Sequence, residues 1–138
     1  MKETRICIIG GGSRLWAIQF FKDLAYNKMT NGTVVLYDID HKAAMNNVVV
    51  GEQTFRVNDS VGRFKFIAED NLEKALEGVD LVSISIEPGN IECRKGDLLL
   101  PEEYGILESV GDTTGPGGIM RARRALPFFF EFARTIKK

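Results

Sequence analysis

The sequence has few cysteines, no long hydrophobic run and almost no excess of charge of either sign. Its two cysteines, Cys7 and Cys93, lie far apart without Cys-x-x-Cys or Cys/His spacing, so neither a disulfide framework nor a zinc site is expected. Reduced thiols of this kind favour the cytoplasm. The longest apolar stretches, residues 6–9 and 79–86, are too short to cross a bilayer, and we expect no export signal and no membrane partner.

The balance of charge argues against a polyanionic partner. Lysine and arginine together number 18 and aspartate and glutamate 19, so the net charge of -1 gives no reason to expect nucleic acid or an anionic membrane. With 44% hydrophobic and 27% charged residues, the composition is that of an ordinary globular protein. A small molecule is the expected partner.

Short runs rich in Val, Ile, Phe and Thr alternate with helical patterns in the first two thirds of the chain. The runs predict four strands, at residues 5–9, 33–37, 63–67 and 79–86. Helical patterns fill the three gaps, at residues 13–27, 41–55 and 71–76. Because parallel neighbours need such crossovers, the alternation predicts an α/β fold, a Rossmann-type parallel sheet with helices on both faces.

The alternation stops after Ile86. The sequence there predicts a loop with one short helix at residues 98–104, then a glycine-dense passage at 111–118 and a helix from Ile119 to the end. Since this last helix leads to no further strand, we expect one incomplete Rossmann-type domain over residues 1–138, cut after about four strands.

The glycine run after the first strand predicts a phosphate-binding loop. Gly10-x-Gly12 allows a tight turn and close approach of a pyrophosphate, and the following helix offers free N–H groups, with Ser13 as a capping hydroxyl. The third position of the usual fingerprint is Leu15 instead of glycine, so the motif alone is a weak match. A glycine turn with a purely structural role is the alternative.

The end of the second strand carries two acids. An acid at this strand tip can accept hydrogen bonds from the adenosine ribose and repel a 2′-phosphate, which favours NAD over NADP. Asp38 is the better candidate, because Asp40 directly before His41 can serve as the N-cap of the next helix. A solvated turn aspartate is the alternative for Asp38.

With these features in place, the passage Ser109-Val110-Gly111-Asp112-Thr113-Thr114-Gly115-Pro116-Gly117-Gly118-Ile119-Met120-Arg121 resembles glycoside hydrolase family 4. Together with Tyr104-Gly105-Ile106 ahead of it, the passage is most similar to the α-galacturonidase and α-galactosidase branch. The resemblance extends over the whole chain, and this second glycine passage is far more specific than the first.

The resemblance implies a glycosidase that depends on NAD and on a divalent metal, typically Mn²⁺, and hydrolyses α-galacturonides or related α-glycosides. In that mechanism the sugar is oxidised at C3, the acidified C2 proton is removed, the glycosidic oxygen leaves, water adds and the ketone is reduced. The resemblance also implies a homo-oligomer for the full-length protein.

The family's site residues map onto this sequence in three groups. The cofactor loop and the ribose contact correspond to Gly10, Gly11, Gly12, Ser13, Arg14 and Asp38. The tip of the fourth strand, beside the cofactor crevice, corresponds to Ile86, Glu87 and Pro88, and the sugar contacts to Asp112 and Thr113. The family's metal-binding cysteine and histidine and its tyrosine base are expected beyond Lys138. The resemblance therefore implies no catalytic and no metal-binding residue in this chain, and an inactive fragment.

For several other residues, a structural role is favoured over a functional one. We expect His41 to be a solvated surface residue, and the cluster of Arg121, Arg123 and Arg124 to be a solvated face, with steering of an acidic sugar as the alternative. Trp16 and Phe20, with Leu24 at helical spacing, are expected to pack on the sheet or on a missing domain. The same holds for the run from Phe128 to Phe130, some of which we expect to be exposed.

Two other functions stay open. An NAD-dependent 2-hydroxy acid dehydrogenase of the lactate or malate type would share the sheet and the first loop. The arginine pattern that such enzymes carry after the fourth strand is missing, although Arg94 leaves some room. A non-enzymatic NAD-binding module is the third hypothesis.

Overall fold

The computed structural model describes residues 3–56, 60–107 and 113–137. Its strands are β1 (Glu3–Ile9), β2 (Asn31–Tyr37), β3 (Arg63–Glu69) and β4 (Leu81–Ile84). Its helices are α1 (Trp16–Ala25), α2 (His41–Thr54), α3 (Leu72–Leu76), α4 (Ile91–Glu103) and α5 (Gly115–Ile136).

The four strands form one parallel sheet in the order β3-β2-β1-β4. Ile6 of β1 is in register with Val34 of β2 and with Leu81 of β4, and Val34 with Phe66 of β3. The connections through α1 and α2 step one way along the sheet and the connection through α3 steps back. Since such crossovers are right-handed, α1 and α2 cover one face and α3 the other. The predicted α/β fold class is confirmed.

The main core lies between the sheet and the pair α1 and α2. Phe21 of α1 is fully buried and meets Phe66 of β3 edge-to-face, with 4.8 Å between ring centroids. Such aromatic pairs add a favourable term beyond the burial of their area. The other buried side chains of this cluster are Ile6, Ile8, Ala17, Leu24, Val34, Leu36, Ala44 and Phe64.

The opposite face of the sheet buries a cysteine. Cys7 and Val35, which are in register on β1 and β2, are both fully buried, as is Ala75 of α3. Burial raises the pKa of the Cys7 thiol to about 11, because the thiolate would lose its hydration. This cysteine is therefore a core residue.

The described residues form two compact units, the sheet with its helices up to Ile86 and a helical unit from Glu87 onward. The second unit consists of α4 and α5 and contains an ion pair between buried Asp97 and Arg124. No helix among the described residues is long and apolar enough to cross a membrane. The expectation of a single incomplete domain stays a prediction.

The elements differ from the sequence prediction in several places, and β4 spans only Leu81–Ile84 instead of residues 79–86. The buried stripe of α1 contains Phe21 and not Trp16, which is 72% exposed. The segment predicted as a loop with a short helix at residues 98–104 is the 13-residue helix α4, which starts at Ile91 because Asn90 caps it: the Asn90 side chain accepts from the Cys93 N–H at 3.0 Å. Helix α5 begins at Gly115, four residues before the predicted Ile119.

Candidate nucleotide-binding site

The glycine loop follows β1 directly and turns at its carboxyl end. Gly10 has a φ of +91°, and a Cβ at this position would lie 1.9 Å from the carbonyl oxygen of Ser85, which follows β4. The N–H groups of Gly10 and Gly11 both donate to the Tyr37 carbonyl at 2.9 Å. Glycine is therefore required at position 10 by the backbone conformation and by the close approach of β4.

Asp38 holds the middle of the loop. Its Oδ2 accepts from the Gly12 N–H at 2.8 Å, and its Oδ1 accepts from the Asp40 N–H at 2.9 Å. A Cβ on Gly12 would lie 2.8 Å from both this Oδ2 and the Cβ of Ala43, so there is no room for a side chain. A carboxylate offers about four acceptor positions, so Asp38 keeps capacity for a further donor.

The end of the loop leaves backbone donors for a ligand. The Ser13 N–H donates to the Gly10 carbonyl at 3.1 Å, and the Ser13 hydroxyl accepts from the Trp16 N–H at 3.2 Å, which confirms its predicted capping role. Within the described part of the chain, no acceptor pairs with the N–H groups of Arg14 and Leu15. Free N–H groups at the start of a helix favour an anion, so the loop fits a pyrophosphate.

Asn47 of α2 was missed by the sequence analysis. This side chain is 6% exposed, and its Nδ2 donates to the Gly11 carbonyl at 2.7 Å and to the Ser13 carbonyl at 2.9 Å. Its position on the buried stripe of α2, between Ala44 and Gly51, is the one available signal, because a polar residue there needs a partner.

The start of α2 carries the other acid and the histidine. The Asp40 side chain accepts from the Ala43 N–H at 3.0 Å, so its predicted role as N-cap is confirmed. His41 is half-buried, and its Nδ1 is buried without a hydrogen-bond partner among the described residues. The prediction of a solvated surface histidine is therefore wrong, because the side chain is only partly accessible and one ring nitrogen is buried.

The residues after β4 are divided between the two units, with Ile86 in the first and Glu87 in the second. The Ile86 side chain reaches within 3.4 Å of the position of a Cβ on Gly10, so it lies beside the loop. Glu87 and Pro88 belong to the helical unit, where the Glu87 carboxylate pairs with Arg121 at 2.6 Å and the Pro88 carbonyl accepts from Arg124 at 3.3 Å.

Two arginines of α5, Arg121 and Arg124, are engaged in ion pairs. Arg124 binds the Asp97 carboxylate with both terminal nitrogens, one of them at 2.7 Å. This hydrogen bonding lowers the pKa of Asp97 below its ordinary 3.8, against the opposing effect of burial. Of the predicted solvated cluster only Arg123 is exposed, so that prediction is wrong for Arg121 and Arg124, which are half-buried in ion pairs.

The remaining candidates lie elsewhere. Asp112 lies outside the described residues, and Thr113 is exposed. A cavity of about 350 Å³ lies between α1 and β4, lined among others by Trp16, Phe20 and Ser83, and contains none of the predicted site residues. In the described ranges, no group of three or more His, Cys, Asp or Glu side chains could hold a metal ion.

The chain is similar to known proteins over its whole length. A family model described as family 4 glycosyl hydrolase matches residues 5–138. An alpha-galacturonidase from Lachnoclostridium phytofermentans is 45% identical over 138 residues, which are 100% of this chain and 30% of that protein.

Two solved structures share the fold. A Bacillus subtilis protein provisionally named a glucosidase superimposes with a TM-score of 0.88 at 44% identity, covering 99% of this chain and 30% of that one. A Thermotoga maritima 6-phospho-beta-glucosidase, in a structure with manganese, NAD+ and glucose-6-phosphate, superimposes with a TM-score of 0.78 at 28% identity, covering 98% and 31%. The chain thus spans about 30% of the length of the relatives that it matches.

Proposed function

This chain belongs to family 4 of the glycosyl hydrolases, and from that membership we propose that the full-length protein is an NAD-dependent glycosidase of α-galacturonides or related α-glycosides. The residues described above supply its cofactor-binding part. The similarity to alpha-galacturonidase over the whole chain supports the substrate class. Membership in a hydrolase family also favours this function over the dehydrogenase and the non-enzymatic module.

The glycine loop is the observation that carries the proposal. Four of its successive N–H groups, from Gly10 to Ser13, are paired inside the protein, whereas those of Arg14 and Leu15 have no acceptor among the described residues. These two donors and the start of α1 would hold the pyrophosphate of NAD. Asp38 would accept hydrogen bonds from the adenosine ribose, and Ile86 would line the cofactor crevice.

The chemistry of the reaction follows from this cofactor. Bound NAD supplies a hydride acceptor that is regenerated within each turnover. Glu87 and Pro88 would border the cofactor after β4, and Asp112 and Thr113 would bind hydroxyl groups of the sugar. The catalytic base and the Mn²⁺ ligands would come from the rest of the longer enzyme.

The test is hydrolysis by the full-length protein in heavy water. An aryl α-galacturonide is incubated with NAD, Mn²⁺ and a reductant, and the released sugar is examined by NMR. We expect deuterium at C2, because removal of the C2 proton precedes addition of water. The matched aryl α-galactoside shows whether the acid group of the sugar is recognised. Hydrolysis without deuterium at C2 would contradict the mechanism, and no hydrolysis of either glycoside would contradict the substrate class.

A further inference from the structure

The buried amide of Asn47 reaches from α2 into the glycine loop. Both of its partners, the carbonyl oxygens of Gly11 and Ser13, are acceptors only, so the NH₂ group must face them. The two bonds, at 2.7 and 2.9 Å, join residues 36 and 34 positions apart in sequence. One side chain thereby fixes two peptide groups of the loop.

The N–H groups of these two peptides differ in their hydrogen-bond partners. In a trans peptide the N–H points opposite to the C=O, so each bond from Asn47 also sets the direction of the next residue's N–H. The Gly12 N–H, opposite the Gly11 carbonyl, donates to Asp38. The Arg14 N–H, opposite the Ser13 carbonyl, meets no acceptor in the part of the chain that the structure describes. Asn47 therefore sets the direction of a donor that pairs with no acceptor among the described residues.

We propose that Asn47 is a positioning residue for the dinucleotide, which aims the Arg14 N–H at the pyrophosphate by holding the Ser13 carbonyl. The inference rests on the proposed binding of NAD. It does not require contact between Asn47 and the cofactor. Without the amide, the Ser13–Arg14 peptide would be free to rotate, and binding would have to fix it again at a cost in affinity.

The test is calorimetric titration of the full-length protein with NAD. Asn47→Leu keeps the approximate size and removes both donors, and we expect the dissociation constant to rise about tenfold. The number of binding sites should stay unchanged. Asn47→Asp also removes the donors and adds a charge below the pyrophosphate, so a rise of about 100-fold is expected. Asn46→Asp is the matched control, because Asn46 is exposed on the same helix, and a change of less than about twofold is expected there.

The outcomes separate this inference from the proposed function. A merely structural role of Asn47 would lower the number of binding sites, through a misfolded fraction, without raising the dissociation constant, and that result would overturn the inference. So would equal effects of Asn47→Asp and Asn46→Asp. If Asn47→Leu does not fold, as judged by circular dichroism, the comparison of the two aspartate variants decides. Failure of the wild-type protein to bind NAD would overturn the proposed function and the inference together.

Discussion

Asp38 has two roles, a structural one in holding the glycine loop and a proposed one in binding the ribose of NAD. Its carboxylate already accepts from the Gly12 and Asp40 N–H groups, so it fixes the turn between loop and helix before any ligand arrives. The same oxygens would receive the ribose hydroxyl groups of NAD. Two backbone donors hold the negative charge in place, which would keep a 2′-phosphate away by repulsion of like charges.

Asp38→Asn should therefore change the preference between the two dinucleotides. Removing the charge while keeping one acceptor oxygen is expected to weaken NAD binding about tenfold and to lower the ratio of NAD to NADP affinity by a similar factor. Titration with both dinucleotides measures the ratio. Asp40→Asn is the control, because asparagine is an equally good N-cap, and it should leave the ratio unchanged. An unaltered ratio in Asp38→Asn would place the ribose contact elsewhere.

At the scale of the elements, the helical unit depends on a buried ion pair. Asp97 of α4 is 3% exposed, and Arg124 of α5 binds its carboxylate while also donating to the Pro88 carbonyl. Removing either partner would leave the other without compensation for its lost hydration. The pair thus ties α4, α5 and the turn after β4 into one unit.

The lowered pKa of Asp97 makes this pair sensitive to acid. In the unfolded chain the carboxyl titrates near 3.8, and in the folded chain at a lower pH, so the stabilisation is fully present above that value and is lost as the pH falls through the folded pKa. Asp97→Asn should unfold more easily at pH 7 and lose less of its stability than the wild type between about pH 5 and 2. Urea unfolding at several pH values tests this, with exposed Asp23→Asn as control. Parallel pH curves for Asp97→Asn and the wild type would contradict the expectation.

Helix α1 offers a comparison between two aromatic side chains on opposite faces. Phe21 is fully buried against Phe66, so Phe21→Ala should lower the free energy of unfolding by about 3–5 kcal/mol through loss of burial and formation of a cavity. Trp16 is 72% exposed, and Trp16→Ala should cost less than about 1 kcal/mol. Chemical denaturation followed by circular dichroism measures both. Similar losses in the two variants would mean that Trp16 is buried as deeply as Phe21.

The strands and the glycine loop were predictable because their signals are local, whereas the errors arose where distant residues decide. Of Trp16, Phe20 and Leu24, which have helical spacing, Leu24 is buried and Phe20 packs against the core, and Trp16 alone of the three is largely exposed. In α4, Gly96 and Pro101 obscure a helix that a cap and a buried ion pair maintain. The role of Asn47 could not be read from the sequence, since its partners lie more than 30 positions away.

At the scale of the whole molecule, the exposed aromatic residues of α5 bear on association between chains. Phe128, Phe129 and Phe130 are 45%, 39% and 58% exposed, in agreement with the expectation that some of this run is accessible. Such apolar surface favours association. The 138-residue chain should therefore associate as its concentration rises.

Sedimentation velocity over a range of concentrations tests this association. The double variant Phe128→Ser and Phe130→Ser should shift the equilibrium toward the monomer, by about tenfold in the dissociation constant. Ala133→Ser, an exposed position on the same helix, should leave it unchanged. Association that persists undiminished in the double variant would locate the contact outside α5.

Because Cys7 is buried, the rate at which its thiol is modified reports how often the sheet opens. A fully buried thiol with a pKa of about 11 reacts with iodoacetamide only after local opening exposes it, because the thiolate is the reacting form. Cys93, which is half-buried in the helical unit, serves as an internal comparison. Mass spectrometry of the two labelled peptides should show Cys7 modified far more slowly, at a rate that rises with added urea. Because Cys93 is already partly exposed, equal rates would mean that the sheet opens often enough for Cys7 to react as freely as a partly exposed thiol.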